Sequence, residues 1–209
     1  MGATGPPRAG AALADVRRIL LEHERFVDIL RAVRELDLPE GAVGGGAVRD
    51  SVWDALSQRR EHAAFRDIDV AYFERDRLAP GVEHQAEEAL DRKLPGYRWD
   101  VKNQAAVHLW YAERFGVPVQ PLPSLAAAVA TWPETATAVA VRLEPDDSLT
   151  VIAPLGLADL VQMVWRHNPA RATREHFQRR LAAKRPHARW PGVRIIDAEA
   201  APEGGGSPR

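Results

Sequence analysis

Two stretches of the chain decide the fold: GGGAVRDSVWDAL, residues 44–56, and RDIDVAYF, residues 66–73. In the first, apolar residues recur at helical spacing directly after three glycines, which predicts a helix from 47 to about 56 behind a short strand at 42–44. In the second, apolar residues alternate with aspartates, which is typical of a strand with one buried face. The two stretches therefore predict a strand, a helix and a second strand in close succession.

Similar patterns on both sides extend this prediction to an α+β fold in which short strands are dispersed among helices. Helices are predicted at 12–36, 83–94, 105–115, 125–131, 156–167 and 173–184, a strand at 97–101, and a β-hairpin from 136–143 and 148–153. Ends rich in Gly, Pro and Ala predict disordered tails at 1–11 and 197–209 around one domain at 12–196. That domain includes a basic helix at about 172–185.

Composition restricts the classes of function. The 209 residues carry a formal net charge of −1 and no cysteine. Such a charge predicts no general attraction to nucleic acid or membranes. The lack of cysteine excludes disulfides, thiolate catalysis and cysteine-ligated zinc. Because no apolar run approaches the roughly 20 residues that span a bilayer, and the N-terminus lacks the order of a signal peptide, we expect a cytoplasmic protein with no membrane partner. The sequence indicates no oligomeric state.

Asp67 and Asp69 are two residues apart on the predicted strand, so their side chains share one face. Two neighbouring carboxylates repel each other unless a cation or a proton lies between them, and Mg²⁺ prefers oxygen ligands. One interpretation is therefore a metal site for phosphate chemistry. The other, favoured for the pair taken alone, is a solvated strand edge or ion pairs with Arg66 and Arg75.

Gly45 and Gly46 lack side chains, so their N–H groups could approach an anion at the positive end of the following helix. Arg49, in the first turn of that helix, carries a fork of donors suited to phosphate. The alternative, favoured for the glycines alone, is a tight turn that requires positive φ. A dinucleotide-binding fingerprint is rejected, because bulky Arg49 stands where that motif has its third small residue.

GGAVRD, followed about twenty residues later by DIDV, resembles the nucleotidyltransferase fold shared by DNA polymerase beta, CCA-adding enzymes and bacterial poly(A) polymerases. The GGxVRD form is most similar to the CCA-adding group. Four further segments resemble a bacterial group known simply as nucleotidyltransferase family proteins: VWDAL, WDVKNQAAVHLWY, TATAVAVRL and APLGLADL. The likeness covers roughly residues 43–191. It implies a polymerase beta-like α+β fold, with a small mixed sheet flanked by helices and a C-terminal helical portion.

The resemblance also implies catalytic residues. Asp67 and Asp69 match the metal carboxylates of the superfamily. Asp100 matches its third carboxylate, which usually lies on a neighbouring strand. An exposed strand aspartate or a helix cap is an equal alternative for Asp100.

Nucleotide-binding roles follow in the same way for Gly45, Gly46, Arg49 and Asp50. A solvated or salt-bridged group is the alternative for Asp50. Asn103 and His108 lie in one of the family-like segments and are candidates for the pocket wall. A histidine on a half-apolar helix, however, is more often structural.

The implied reaction transfers a nucleoside monophosphate from an NTP to a hydroxyl of an unidentified small-molecule or protein acceptor, with Mg²⁺ or Mn²⁺ as cofactor. Two alternatives are an inactive nucleotide-binding module and an RNA-binding protein. Residues 171–194 contain eight Lys or Arg and one Glu, which would suit RNA, but a solvated basic helix is the favoured interpretation. A chain of this length is also expected to lack the long helical body with which CCA-adding enzymes hold tRNA.

Overall fold

The structure is a computed structural model that describes residues 9–59, 67–78 and 81–197. The predicted tails therefore fall largely outside the described residues, as does Arg66. The described residues at the inner ends of these predicted tails take part in the fold. The first helix begins at Ala9, and Asp197 accepts hydrogen bonds from Arg174 and Gln178. The division into two tails and one domain stays a prediction.

A five-stranded mixed sheet forms the centre of the molecule, in the order β3-β2-β1-β4-β5. Its strands are β1 (Ala42–Gly44), β2 (Asp67–Tyr72), β3 (Arg98–Asn103), β4 (Ala140–Leu143) and β5 (Leu149–Ile152). β2 and β3 are parallel, whereas the other neighbouring strands are antiparallel. A separate parallel pair joins β6 (Val164–Arg166) to β7 (Arg194–Ile196). The predicted α+β class and mixed sheet are confirmed.

Helices surround the sheet. They are α1 (Ala9–Glu22), α2 (Glu24–Arg34), α3 (Gly46–Leu56), α4 (Val82–Lys93), α5 (Val107–Phe115), α6 (Leu125–Val129), α7 (Ala158–Val161), α8 (Arg174–Lys184) and α9 (Pro186–Arg189). Short 3₁₀ turns lie at Gln104–Ala106 and Thr135–Thr137. None of the helices within the described ranges is long and apolar enough to cross a membrane.

The two faces of β2 differ because side chains alternate along a strand. Ile68 and Val70 are almost fully buried in the main core, together with apolar side chains of α1, α2 and α3. Ala71 belongs to a smaller core cluster on the opposite face, which Leu125 and Val129 of α6 help to cover. Asp69 shares that opposite face but is exposed. The start of β2 therefore presents its aspartates to solvent, while its other face anchors the strand.

The predicted helix at 12–36 is wrong in one respect, because it is two helices. His23 separates α1 from α2 in an extended conformation, and its Nδ1 accepts a hydrogen bond from the backbone N–H of Phe26. It thereby satisfies one of the free N–H groups at the start of α2. Leu20 before the break and Phe26 after it enter the same core, so the apolar periodicity continues across both helices and conceals the break.

The predicted helix at 156–167 is also wrong beyond its first turn. Only Ala158–Val161 is helical; Met163 then adopts a φ of 54°, and the chain continues as β6. β6 is a strand because it pairs with β7, which lies about thirty residues further along the chain. Long-range pairing of this kind overrides local apolar periodicity.

Candidate active site

The register of two parallel strands brings three aspartates together. Asp69 on β2 lies directly opposite Asp100 on β3, and Asp67 lies opposite Arg98. In-register residues of neighbouring strands face the same side of a sheet, and so do residues two apart on one strand. Asp67, Asp69 and Asp100 therefore share one face, as the sequence predicted for the first two. Asp67 is half-buried and the other two are exposed.

The glycine turn lies directly against these aspartates. Gly45 has a φ of 64° and precedes the first residue of α3, and its N–H donates to the backbone oxygen of Val139. A Cβ at Gly45 would lie 2.9 Å from Oδ2 of Asp69. A Cβ at Gly44 would overlap the ring of Trp132. The turn thus needs glycine for close approach, and it points the N-terminus of α3 towards the carboxylates.

The three aspartates and Gly46 line a cavity of about 850 Å³ that Lys and Arg side chains also border; it is here called the acidic cleft after its aspartates. Its walls include Gly46, Asp67, Asp69 and Asp100. A smaller cavity of about 200 Å³ adjoins it, shares Asp69 and Asp100, and reaches Gly45 and Trp132. The predicted carboxylates and glycines therefore border one connected space.

The acidic cleft raises the pKa of Asp69. The largest cause is partial removal of its carboxylate from bulk water, because the walls of both cavities surround Asp69 although part of its surface stays accessible. The negative charge of Asp100 adds to this rise, and that of Asp67 adds less, while Arg180 and Lys184 oppose it. The arrangement of acids is therefore electrostatically unfavourable without a nearby cation.

Two cations of β3 partly meet this need. Nζ of Lys102 lies 2.6 Å from Oδ1 of Asp100, and Nη2 of Arg98 lies 2.9 Å from Oδ1 of Asp67. Partial burial acts to lower the pKa of Lys102, but the hydrogen bond and charge of Asp100, with the charges of Glu87 and Glu83, outweigh it and raise that pKa. Lys102 is thus a fully charged neighbour of the carboxylates.

Helix α8 supplies cations from across the acidic cleft. Arg180 lines both cavities and donates from Nε and Nη2 to the carboxylate of Glu134, at 2.6 and 3.2 Å. Nζ of Lys184 lies 4.0 Å from Oδ2 of Asp67. Because the two residues are four apart, they occupy the same face of the helix. Part of the basic segment therefore faces the cleft, rather than forming only a solvated helix as the sequence favoured.

The structure places Arg49 within the cleft wall, where its side chain is only 5% exposed. Its guanidinium lies 4.3 Å from the ring centre of Trp165 and also over Trp53 and Trp190. Its Nη2 donates to Asp50 at 2.6 Å. A direct phosphate contact by this buried, already paired side chain stays a prediction.

Asp50 adopts the salt-bridged alternative. It pairs with Arg49 and, at 2.5 Å, with Arg189, whose other nitrogen donates to the buried Asp54. These bonds join α9 to α3 across the back of the cleft. A nucleotide-binding role for Asp50 would require exchange of one of these partners, and it stays a prediction.

Asn103 and His108 are not brought to the acidic cleft. Asn103 lies an odd number of residues from Asp100, so strand alternation turns it to the opposite face, where it is 2% exposed. Its Oδ1 caps the following 3₁₀ turn by accepting from Ala105 N–H. His108 borders a separate cavity with Arg75 and Leu78. Asn103 thus has a structural role here, whereas a pocket role for His108 stays a prediction.

Six basic residues line the cleft without having been predicted there: Arg98, Lys102, Arg114, Arg180, Lys184 and Arg189. Lys102 had a local signal, because it follows Asp100 by two residues and so faces the same side, but the predicted strand ended at 101. The spacing of Arg180 and Lys184 indicated a shared face. No local signal indicated what that face would meet.

The chemistry of the carboxylates suits a hard divalent cation, since all three supply oxygen ligands on one face. Across the described parts of the chain, however, no three Asp, Glu or His side chains are placed so that they could hold a metal ion as they stand. Asp67 is directed to Arg98 and Asp100 to Lys102. The donors fit such an ion, but the outer two carboxylates would have to leave their present partners.

Comparison with known proteins identifies the family. A family model described as nucleotidyltransferase matches residues 31–195. An NMR structure described as revealing a CCA-adding enzyme head domain is 26% identical to the chain. The match covers 88% of this chain and 95% of that one, with a TM-score of 0.74. No curated protein matches the chain.

Two longer chains, both CCA-adding enzymes, share the fold at lower identity. A CCA-adding enzyme in complex with CTP is 20% identical over 87% of this chain and 43% of its own, with a TM-score of 0.52. The Thermotoga maritima CCA-adding enzyme in complex with tRNA is 21% identical over 87% of this chain and 42% of its own, with a TM-score of 0.50. The chain therefore spans less than half the length of these two enzymes. The resemblance and the fold predicted from the sequence are confirmed.

Proposed function

The chain belongs to the nucleotidyltransferase family, and we propose that its acidic cleft uses Mg²⁺ or Mn²⁺ to transfer a nucleoside monophosphate from an NTP to a hydroxyl of a small-molecule or protein acceptor. One observation carries the proposal: the Gly45 turn touches Asp69, which is the in-register neighbour of Asp100. A turn suited to bind an anion therefore lies directly beside carboxylates suited to bind a cation.

The acids would hold the divalent cation. Asp69 lies between Asp67 on its own strand and Asp100 on the next, and the mutual repulsion that raises its pKa would be relieved by a positive charge. When bound, such a cation would neutralise triphosphate charge and favour deprotonation of the acceptor hydroxyl. Asp67, Asp69 and Asp100 are accordingly the proposed catalytic residues.

The chain's own groups would position the triphosphate. Gly46, the first residue of α3, lines the acidic cleft, and the free N–H groups in the first turn of a helix suit phosphate oxygens. Arg180 and Lys184 on α8 face the same space from the opposite side. Positioning between two fixed elements and neutralisation of charge supply most of the catalysis expected for phosphoryl chemistry.

The acceptor of the nucleoside monophosphate is the second part of the proposal. Among the structural neighbours, one CCA-adding enzyme is in complex with CTP and another with tRNA, so an NTP substrate is well supported and RNA is the competing acceptor. The cations that face the cleft are close to the carboxylates rather than spread over an outer surface. We therefore favour a small molecule or a protein over RNA.

Transfer of label from α-³²P-labelled NTPs tests the proposal directly. The protein is incubated with each NTP, Mg²⁺ and fractionated cell extract, or with an RNA pool in place of the extract. Asp69→Asn should reduce transfer roughly a hundredfold or more, because a central ligand of the cation is lost. Asp91→Asn serves as the matched control, since Asp91 is exposed on α4 away from the cleft.

Transfer that survives Asp69→Asn would refute the assigned site. Mg²⁺-dependent stabilisation by NTP without pyrophosphate release in any fraction would select the inactive nucleotide-binding module. RNA binding with a steep salt dependence that is lost on neutralising Arg179, Arg180, Lys184 and Arg185, but not with Asp67→Asn, would select the RNA-binding alternative.

A further inference from the structure

The cleft face of β3 carries alternating charges. Arg98, Asp100 and Lys102 are each two residues apart, so all three side chains belong to one face of the strand. Asp100 lies opposite Asp69, and its Oδ1 is 2.6 Å from Nζ of Lys102. A lysine of the cleft wall therefore already pairs with the Asp100 carboxylate.

We propose that Lys102 is a stand-in cation: in the metal-free protein its ammonium group neutralises Asp100, and it gives up this place when a divalent cation and the triphosphate bind. The inference rests on the proposed function, because it assumes that Asp100 becomes a metal ligand. Lys102 is a positioning residue in this account, since it acts on the reaction through Asp100.

Among the three cations that pair with Asp67 or Asp100, Lys102 is the best suited to this role. The Arg98 side chain is 80% exposed, so water and salt weaken its pair with Asp67. Lys184 lies 4.0 Å from Asp67 and is half-exposed. Lys102 is only 33% exposed and has the shortest of these three ion pairs. Of these three cations, Lys102 is therefore the one held most closely against a carboxylate of the cleft.

A second partner for Lys102 is already in place. Its Nζ lies 3.6 Å from Oε1 of Glu87 on α4 and donates to the backbone oxygen of Val101 at 3.0 Å. Glu87 is itself held, because Oε1 accepts the N–H of Val101 at 3.0 Å. A lysine has a flexible stem and a compact charge. A short movement therefore takes its ammonium from Asp100 to Glu87 without leaving either charge unpaired.

This arrangement explains why the three aspartates do not converge as they stand. With Lys102 on Asp100, the Asp100 carboxylate is directed to the lysine, and its charge is neutralised in the absence of a divalent cation. The same charge opposes metal binding until a triphosphate supplies compensating negative charge. Metal alone should therefore bind weakly, and removal of the Lys102 charge should strengthen its binding.

The test is the affinity for Mn²⁺ alone, measured by the electron paramagnetic resonance signal of free Mn²⁺, with no nucleotide present. Lys102→Met should bind Mn²⁺ about tenfold more tightly than the unchanged protein, which corresponds to the loss of one partly screened repulsion. Lys93→Met is the matched control, because Lys93 is exposed on α4 and pairs with Glu35 far from the cleft. It should leave Mn²⁺ affinity unchanged.

A double-mutant cycle separates this role from a general effect of charge. In an Asp100→Asn background, Lys102→Met should no longer strengthen Mn²⁺ binding, because the ligand that the lysine covers is gone. Lys102→Gln, which keeps a polar side chain, provides the same comparison if Lys102→Met does not fold. Either neutral variant should give the same direction of change.

Two results would overturn the inference and can be told apart. If the unchanged protein binds Mn²⁺ but neither neutral variant binds it more tightly, Lys102 is a structural residue and the proposed metal site survives. If no variant binds Mn²⁺, with or without an NTP, then both the inference and the proposed metal-dependent function fail.

Discussion

Gly45 is subject to two independent constraints, one from its backbone conformation and one from its close approach to Asp69. Its φ of 64° disfavours every side chain, and a Cβ would lie 2.9 Å from Oδ2 of Asp69. That oxygen is the end of a side chain that can turn away, so the contact affects function more than folding. The glycine is thus required for the carboxylate to keep its place.

Gly45→Ala is expected to abolish Mg²⁺-dependent NTP binding while costing only about 1–3 kcal/mol of stability from backbone strain. Gly81→Ala is a matched control: Gly81 precedes the first residue of α4 with a φ of 100°, and a Cβ there meets nothing within 4 Å. Urea unfolding and titration with a fluorescent NTP measure the two effects. Equal NTP affinity in the two variants would contradict the role assigned to Gly45.

Some of the residues that line the site were predictable from the sequence and others were not. The face shared by Asp67 and Asp69 followed from strand alternation, and resemblance added Asp100, which the structure puts in register with Asp69. Lys102 followed the same alternation but was missed because the predicted strand ended at 101, two residues before the end of β3. Asn103 was assigned to the pocket wall without regard to alternation, and it faces the other way.

At the level of elements, one buried ion pair helps to hold α8 beside the acidic cleft, in addition to the packing of Phe177 in the main core. Glu134 is 1% exposed, and its carboxylate binds Arg180 and the hydroxyl of Thr137. A carboxylate removed from water in this way is strongly destabilising if its cation is lost. The position of α8, and with it that of Lys184, depends on this pair.

Arg180→Met is therefore expected to lower the free energy of unfolding by about 3 kcal/mol, because the Glu134 carboxylate stays buried without its partner. Arg179→Met is the control: Arg179 is the adjacent residue, and its pair with Glu175 is exposed on both sides, so the loss should stay within about 0.5 kcal/mol. Urea denaturation provides both values. Adding Glu134→Gln should restore most of the stability, and a loss that persists in this double variant would contradict the account.

Elements formed by local patterns were predictable, and those formed by distant contacts were not. The strand at 42–44, helix α3 and the hairpin of β4 and β5 each follow from neighbouring residues. The pairing of β6 with β7 joins residues about thirty apart, and Glu134 meets Arg180 across forty-six residues. Periodicity contains no information about such partners.

For the whole molecule, one asymmetry of the sheet produces the site. One face is filled by α1, α2 and α3 across the strands, whereas α6 covers only part of the other face. The uncovered part coincides with the aspartates of β2 and β3, and α8 closes its far side. The family match extends over 31–195, so the sheet, the acidic cleft and α8 all lie within it.

The central claim is that this cleft holds a metal-bound triphosphate between the glycine turn and the three aspartates. A crystal structure with a non-hydrolysable NTP analogue and Mn²⁺, read from anomalous scattering, tests it most directly. The account predicts Mn²⁺ in contact with Asp69 and at least one of Asp67 and Asp100, with phosphate oxygens on the N–H groups at the start of α3. Mn²⁺ or the triphosphate bound elsewhere, with Asp67 still on Arg98 and Asp100 still on Lys102, would contradict it.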